Sequence, residues 1–239
     1  MKIALIGYGK MGKEIEKVAL ERNHTVVRKF SEEEPFLGAK TIEADVAIEF
    51  TAPNLALSHM KKCLALKIPV IVGTTGWTEA LPSIKEVTEQ HNGSILYASN
   101  FSLGVHLFFE LTKKLSALMN TQDYKASVTE THHTEKLDQP SGTAITTAEH
   151  IIKELKSLNK WELSNITSKI DLDTLPIVSK RIENVPGTHQ VSFSSEIDEI
   201  SLTHTANNRK GFALGAVIAA EWILDKKGLF TMSDVLNLK

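Results

Sequence analysis

Residues 130–144 read Glu-Thr-His-His-Thr-Glu-Lys-Leu-Asp-Gln-Pro-Ser-Gly-Thr-Ala, a run dense in groups that move protons and bind anions. Histidine exchanges protons near neutral pH, so His132 or His133 suits a general acid or base. Lys136 adds a cation four residues after His132. The turn Ser141-Gly142-Thr143 opens a helical pattern, and such a turn offers N–H and hydroxyl donors, with the positive end of the helix, to a carboxylate. Adjacent histidines also raise the question of a metal. Neighbours on a strand point to opposite faces and no third ligand is evident nearby in sequence, so no metal is expected.

A second constellation opens the chain. The apolar run 3–6 leads into Gly7-Tyr8-Gly9-Lys10-Met11-Gly12 and then into apolar residues at helical spacing, Ile15, Val18 and Ala19. In G-x-G-x-x-G between strand and helix, the glycines make the turn, admit a pyrophosphate to the backbone and let the helix pack closely, while the helix start supplies free N–H groups. Dinucleotide binding follows. An acidic residue about 20 positions on, after the second strand, usually holds the ribose 2′-OH of NAD. Here Arg28 and Lys29 come after the 25–27 strand, which favours the 2′-phosphate of NADP. Further loops that could seat a flat ring follow other strands: Phe50-Thr51, Gly73-Thr74-Thr75-Gly76 and Ala98-Ser99-Asn100-Phe101.

These groups need a scaffold. Strands at 3–6, 25–27, 45–50, 68–72 and 95–98 alternate with helices at 13–21, 55–66 and 81–90, which predicts a parallel sheet with right-handed crossovers and a ligand crevice at its C-terminal edge. After residue 102 the pattern changes to a helix at 104–118, a strand at 124–131, a helix at 144–158 and strands at 177–180, 190–194 and 199–205. These read as an open, largely antiparallel sheet. An apolar, alanine-rich helix at 212–224 closes the pattern, and residues 160–175 carry no readable periodicity. The fold class is therefore α/β, a parallel nucleotide-binding sheet plus a mixed α/β domain. Expected boundaries are 1–102 with 210–239 for the first and 103–209 for the second.

Composition excludes several functions. With 239 residues, 42% hydrophobic and 23% charged, the chain has the make-up of a globular protein. A net charge of −2 leaves no global excess of cations for a nucleic acid or an anionic membrane. One cysteine, Cys63, forms no internal disulfide, and no apolar run reaches the roughly 20 residues of a membrane span. A soluble, cytoplasmic protein is expected.

Taken together, these residues resemble the 4-hydroxy-tetrahydrodipicolinate reductase family, also called dihydrodipicolinate reductases. The likeness covers nearly the whole chain and includes the glycine turn, Glu49-Phe50-Thr51, Gly73-Thr74-Thr75-Gly76, Ala98 to Ser102, Gly187-Thr188-His189, Thr203-His204 and the segment from Arg209 to Gly215. The family signature Glu-x-His-His-x-x-Lys-x-Asp-x-Pro-Ser-Gly-Thr-Ala runs unbroken from Glu130 to Ala144. The resemblance implies a Rossmann domain joined to a mixed α/β substrate and oligomerisation domain, in a homotetramer built through the second sheet. It implies hydride transfer from NADPH or NADH to a small dicarboxylate ring, in lysine and diaminopimelate biosynthesis. By the same likeness His132 is a proton donor and acceptor, Lys136 a proton donor, His133 a substrate contact, and Gly142 with Thr143 the grip on a substrate carboxylate. Tyr8, Lys10, Met11, Thr75 and Phe101 join the cofactor loops. Two other readings compete. A semialdehyde or amino-acid dehydrogenase would need no Pro-Ser-Gly-Thr turn beside paired histidines, and a dinucleotide-sensing module would leave His132 and Lys136 without a task.

Overall fold

The fold is that of a computed structural model, which describes residues 1–164 and 171–238. In chain order, β1 (Lys2–Ile6), α1 (Lys10–Glu21), β2 (Thr25–Phe30), β3 (Val46–Glu49), α2 (Pro53–Ala65), β4 (Val70–Val72), α3 (Leu81–Gln90) and β5 (Ser94–Tyr97) come first. Then follow α4 (Leu103–Met119), β6 (Lys125–His132), α5 (Gly142–Glu154), β7 (Lys160–Leu163), β8 (Thr174–Arg181), β9 (Gly187–Ser194) and β10 (Glu199–Ala206). The chain ends with α6 (Lys210–Ile223), β11 (Gly228–Phe230) and α7 (Met232–Val235). It divides into two units, one of Met1–Leu103 with the segment from Arg209 onward, the other Gly104–Asn208.

The first unit is a six-stranded parallel sheet in the order β11-β5-β4-β3-β1-β2. Both faces of β1 are buried, as its unbroken apolar run requires. Ile3 and Leu5 enter a core with α1 and α6, while Ala4 and Ile6 enter the other with α2 and α3. The chain leaves β1 for β2 on one side and returns to β3 on the other, which makes the β1/β3 boundary the point where strand order reverses. Crevices open at such points.

In the second unit the sheet order is β10-β9-β6-β8-β7. One face carries α4 and α5, with Phe108, Phe109, Ala148 and Ile151 packed on Val128, Ile177, Val191 and Phe193. The alternating burial of β9, where Gly187, His189, Val191 and Phe193 are buried and the residues between them are not, marks that face.

Four expectations from sequence change. β2 runs on to Phe30, so Arg28 and Lys29 lie within the strand and do not follow it. As an edge strand, β2 tolerates charge that a central parallel strand would not. The second sheet is evenly mixed: β9 pairs antiparallel with β6 and β10, but β8 pairs parallel with β6 and β7. A sixth strand, β11, continues the first sheet beyond the apolar helix, three residues too short to show a period. Within 160–175, β7 forms at Lys160–Leu163, while 165–170 lies outside the described residues.

Candidate active site

In the first unit the glycine turn has the geometry its spacing implies. Gly7 sits at φ +96°, and a Cβ there would fall 1.9 Å from the Phe50 carbonyl oxygen. At Gly12 it would fall 2.3 Å from the Gly7 carbonyl oxygen, whereas at Gly9 it would meet nothing within 4 Å. The outer two glycines are therefore needed for packing, and the middle one leaves open space at the start of α1. That helix has neither a capping side chain nor an acidic residue in its first turn, so its amides and positive end remain available.

A cleft of about 290 Å³ is lined by Gly9, Lys10, Met11 and Gly12 with Phe50, Thr51, Pro53, Gly73, Thr74 and Thr75. Its loops are cross-tied. The Thr51 amide donates to Thr74 Oγ1 at 2.7 Å, and Trp77 Nε1 donates to the Thr74 carbonyl at 2.7 Å. Buried Glu49 accepts from the Thr51 hydroxyl and lies 3.3 Å from His59 Nδ1. Open space over a helix start, ringed by small and hydroxylic residues, fits a dinucleotide.

Other residues expected at this cleft stand apart from its lining. Tyr8 donates its hydroxyl to Glu16, and Phe101 is buried against Phe50 and beneath Gly215. Asn100 Oδ1 accepts from the Ser102 amide, Ser99 is exposed and Ala98 lies partly buried against the first core. Arg28 pairs with Glu34, and Lys29 with Glu16 at 3.1 Å. Lys29 also stands 4.8 Å from the Tyr8 ring centroid, beside the glycine turn.

In the second unit, the period of two along β6 puts Glu130 and His132 on one face. Glu130 is fully buried; one oxygen meets His132 Nδ1 and the other accepts from Arg181 at 3.0 Å. Burial pushes the Glu130 carboxyl up, but the bonds from His132 and Arg181 outweigh it and hold the group down at about 2. The His189 ring lies 5.1 Å from that of His132, and its Nε2 is 3.0 Å from Ser141 Oγ. Burial first, and the neighbouring His132 next, push His189 down to about 3. A Cβ on Gly187 would come within 3.1 Å of His132 Nε2, so the glycine keeps that nitrogen clear.

The loop after β6 carries Lys136, whose ammonium contacts both oxygens of Asp138 at 2.8 Å. Ser141 caps α5 by accepting from the Ala144 amide at 3.2 Å. Its hydroxyl is thus engaged by the cap and by His189. Gly142 is exposed, with nothing within 4 Å of where its Cβ would be. His133 Nδ1 has no hydrogen-bond partner among the described residues.

The structure thus gathers His132, Glu130 and His189, whose ligating atoms all lie within 4.8 Å, a third candidate that the sequence reading lacked. A cation there would compete with the Arg181 guanidinium already bonded to Glu130, so the chemistry of the set suits a proton better than a metal. The expected strand stops at 131, one residue short of His132, so the shared face of Glu130 and His132 emerges only from the structure. His189 and Arg181 join them only through the pairing of β6 with β9 and β8.

A doubly wound dinucleotide-binding unit joined to a unit of acid–base residues defines a nicotinamide-dependent oxidoreductase. Family models for the N-terminus and C-terminus of dihydrodipicolinate reductase match residues 1–101 and 104–236. The 4-hydroxy-tetrahydrodipicolinate reductase of Christiangramia forsetii is 47% identical over 99% of this chain and 98% of its own length. That of Buchnera aphidicola is 39% identical over 84% of this chain and 76% of its own. A dipicolinate-bound dihydrodipicolinate reductase from Paenisporosarcina sp. TG-14 superposes with a TM-score of 0.79 at 25% identity, over 100% of this chain and 99% of that one. The chain belongs to the dihydrodipicolinate reductase family of NAD(P)H-dependent oxidoreductases.

Proposed function

We propose that this protein reduces 4-hydroxy-2,3,4,5-tetrahydrodipicolinate to 2,3,4,5-tetrahydrodipicolinate with loss of water, in lysine and diaminopimelate biosynthesis. The observation that carries this is the signature from Glu130 to Ala144 folded so that His132, Lys136 and the α5 start line one segment of the second unit. When bound, the nicotinamide cofactor supplies the hydride. The amides at the start of α1, opened by Gly9, would hold its pyrophosphate, and Thr51 with the 73–75 loop would bound its site.

The chain's own residues bind the dianion and handle the protons. The Gly142 and Thr143 amides take one carboxylate at the positive end of α5. His133 is a further substrate contact. His132 keeps Nδ1 on Glu130, which leaves Nε2, cleared by Gly187, to give or take a proton. Lys136 gives a proton to the reduced ring. Asp138 holds its ammonium until the substrate's negative charge competes for it. Oxidation of NADPH in the presence of an enzymatic source of the unstable substrate, beside the same assay with NADH, tests the reading; no oxidation with either would overturn it.

We further infer a narrow preference for NADPH, carried by Lys29 more than by Arg28. Lys29 adjoins the glycine turn, but both cations already have carboxylate partners, and Ser31 is followed by three glutamates beyond the strand end. A homotetramer formed through the second sheet belongs to the same reading, and the face opposite α4 and α5, with Thr129, Thr131, Gln190, Ser192 and Thr203, is the one it would use. No described helix is long and apolar enough to cross a membrane, which accords with residence in the cytoplasm. Nucleic acid and membrane are not among the partners proposed.

A further inference from the structure

Arg181 ends β8 and is half of a backbone pair with His132 at the end of β6. The Ile182 amide donates to the His132 carbonyl at 2.9 Å, so the two strand ends are joined just where His132 sits. The guanidinium is mostly buried, and each of its three nitrogens donates a hydrogen bond. NH1 donates to Glu130 Oε1 at 3.0 Å and to the Lys180 carbonyl at 2.8 Å. Nε donates to the Lys136 carbonyl at 3.2 Å and NH2 to the Asp138 carbonyl at 2.8 Å. One side of the fork therefore holds the carboxylate that holds His132, and the other holds the backbone of the loop that carries Lys136.

We propose that Arg181 is a positioning residue for both proton carriers, fixing the His132 tautomer through Glu130 and the Lys136 loop through two carbonyls. This rests on the reductase reading for its kinetic consequence, but the geometry stands without it. Glu130, with one oxygen occupied by Arg181, offers the other to His132 Nδ1, and that keeps the Nδ1 proton in place and leaves Nε2 as the exchanging atom. On the loop, a lysine in place of the arginine is a point donor, able to satisfy Glu130 but not to span to both carbonyls. The charged and titratable groups against His132 are Glu130 on its own strand, Arg181 on β8 and His189 on β9. Of these only Arg181 bonds both to the carboxylate and to the loop.

The test compares Arg181→Lys, Arg181→Met and Glu130→Gln with the full-length protein. ¹⁵N spectra of histidine-labelled protein report the His132 tautomer without turnover. The wild type should show Nδ1 protonated, Arg181→Lys should retain this, and Arg181→Met and Glu130→Gln should show a mixture of tautomers. In the NADPH assay, a loosened catalytic loop should lower kcat of Arg181→Lys by about tenfold and of Arg181→Met by about a hundredfold or more. KM should change less than about threefold and NADPH affinity about twofold at most. If Arg181→Met is unstable, Arg181→Lys and Glu130→Gln still separate the two arms. An unchanged His132 tautomer in Glu130→Gln, or an unchanged kcat in Arg181→Lys, overturns the proposal. Absence of turnover in the wild type, with the tautomer shifts as expected, would overturn the reductase reading and leave the positioning role standing.

Discussion

At the residue scale, His132 and Lys136 carry different loads. His132 is buried on a rigid strand with its Nδ1 committed, while Lys136 is on a loop and held by an exposed carboxylate. Replacing His132 with glutamine or Lys136 with alanine should each lower turnover by about 100- to 10,000-fold, with cofactor affinity unchanged, because neither residue lies on the nucleotide loops. Equal loss of NADPH affinity in His132→Gln, measured by fluorescence titration, would contradict the assignment. Lys29→Ala should weaken NADPH relative to NADH by roughly two- to fivefold at low salt, and less as salt screens an exposed charge. Arg28→Ala should leave the ratio alone. A constant ratio of the two dissociation constants in Lys29→Ala would place the 2′-phosphate elsewhere.

At the element scale, β6 and β9 place two unlike histidines beside one another. His189 is held far below the ordinary 6.5 because burial disfavours its charged form. Below pH 6.5 the unfolded chain takes up a proton that the folded His189 refuses until about pH 3, so its effect on stability is to lower it as pH falls through that window. Glu130, held at about 2 against an ordinary 4.5, stabilises above pH 4.5 and loses that contribution as pH falls towards 2. Both act in the same direction. The urea midpoint should therefore fall from pH 7 to pH 4, and His189→Gln should flatten the fall; an identical slope in that variant would refute the assignment. α6 supplies a second element-scale test. A Cβ on Gly215 would lie 1.7 Å from the Phe101 carbonyl oxygen, so Gly215→Ala should cost about 1–3 kcal/mol or more in denaturant unfolding.

On the scale of the whole molecule, the chain leaves the first unit and returns to complete it. α6 buries Ala213, Gly215, Ala216, Val217, Ala219, Ala220 and Ile223 in the core that also holds Ile3, Leu5 and Ile15. Arg22 and His24 bond Glu221 from the other end of the sequence, at 2.8 Å and 2.7 Å. A chain ending near Arg209 would expose the apolar sheet face under α6. It should lose solubility or dinucleotide affinity, and full retention of both in a sedimentation and titration experiment would show that the first unit closes without its last segment.

Local chemistry was enough to read the glycine turn, the first five strands of the first unit and the signature from Glu130 to Ala144, because each rests on spacing within a dozen or so residues. G-x-G-x-x-G demands a strand before it and a helix after it, and α3 falls at Leu81–Gln90 as its period requires. Where an element gains its identity from partners, local reading stopped short. β2 extends past its β-branched core because the sheet edge accepts Arg28 and Lys29, and β11 is too short to show a period. β8 is parallel to β6, a matter of long-range pairing that alternation along either strand does not encode. The same holds for the site. Ser141, a plausible donor in the sequence, becomes a cap and a partner of His189, and Arg181, 45 residues beyond Lys136, joins it only when β8 lies beside β6. Residue types and spacing determined which groups could move protons; the pairing of distant strands decided which atoms of those groups were left free to do so, since a buried carboxylate must be satisfied by whatever donors the sheet brings to it.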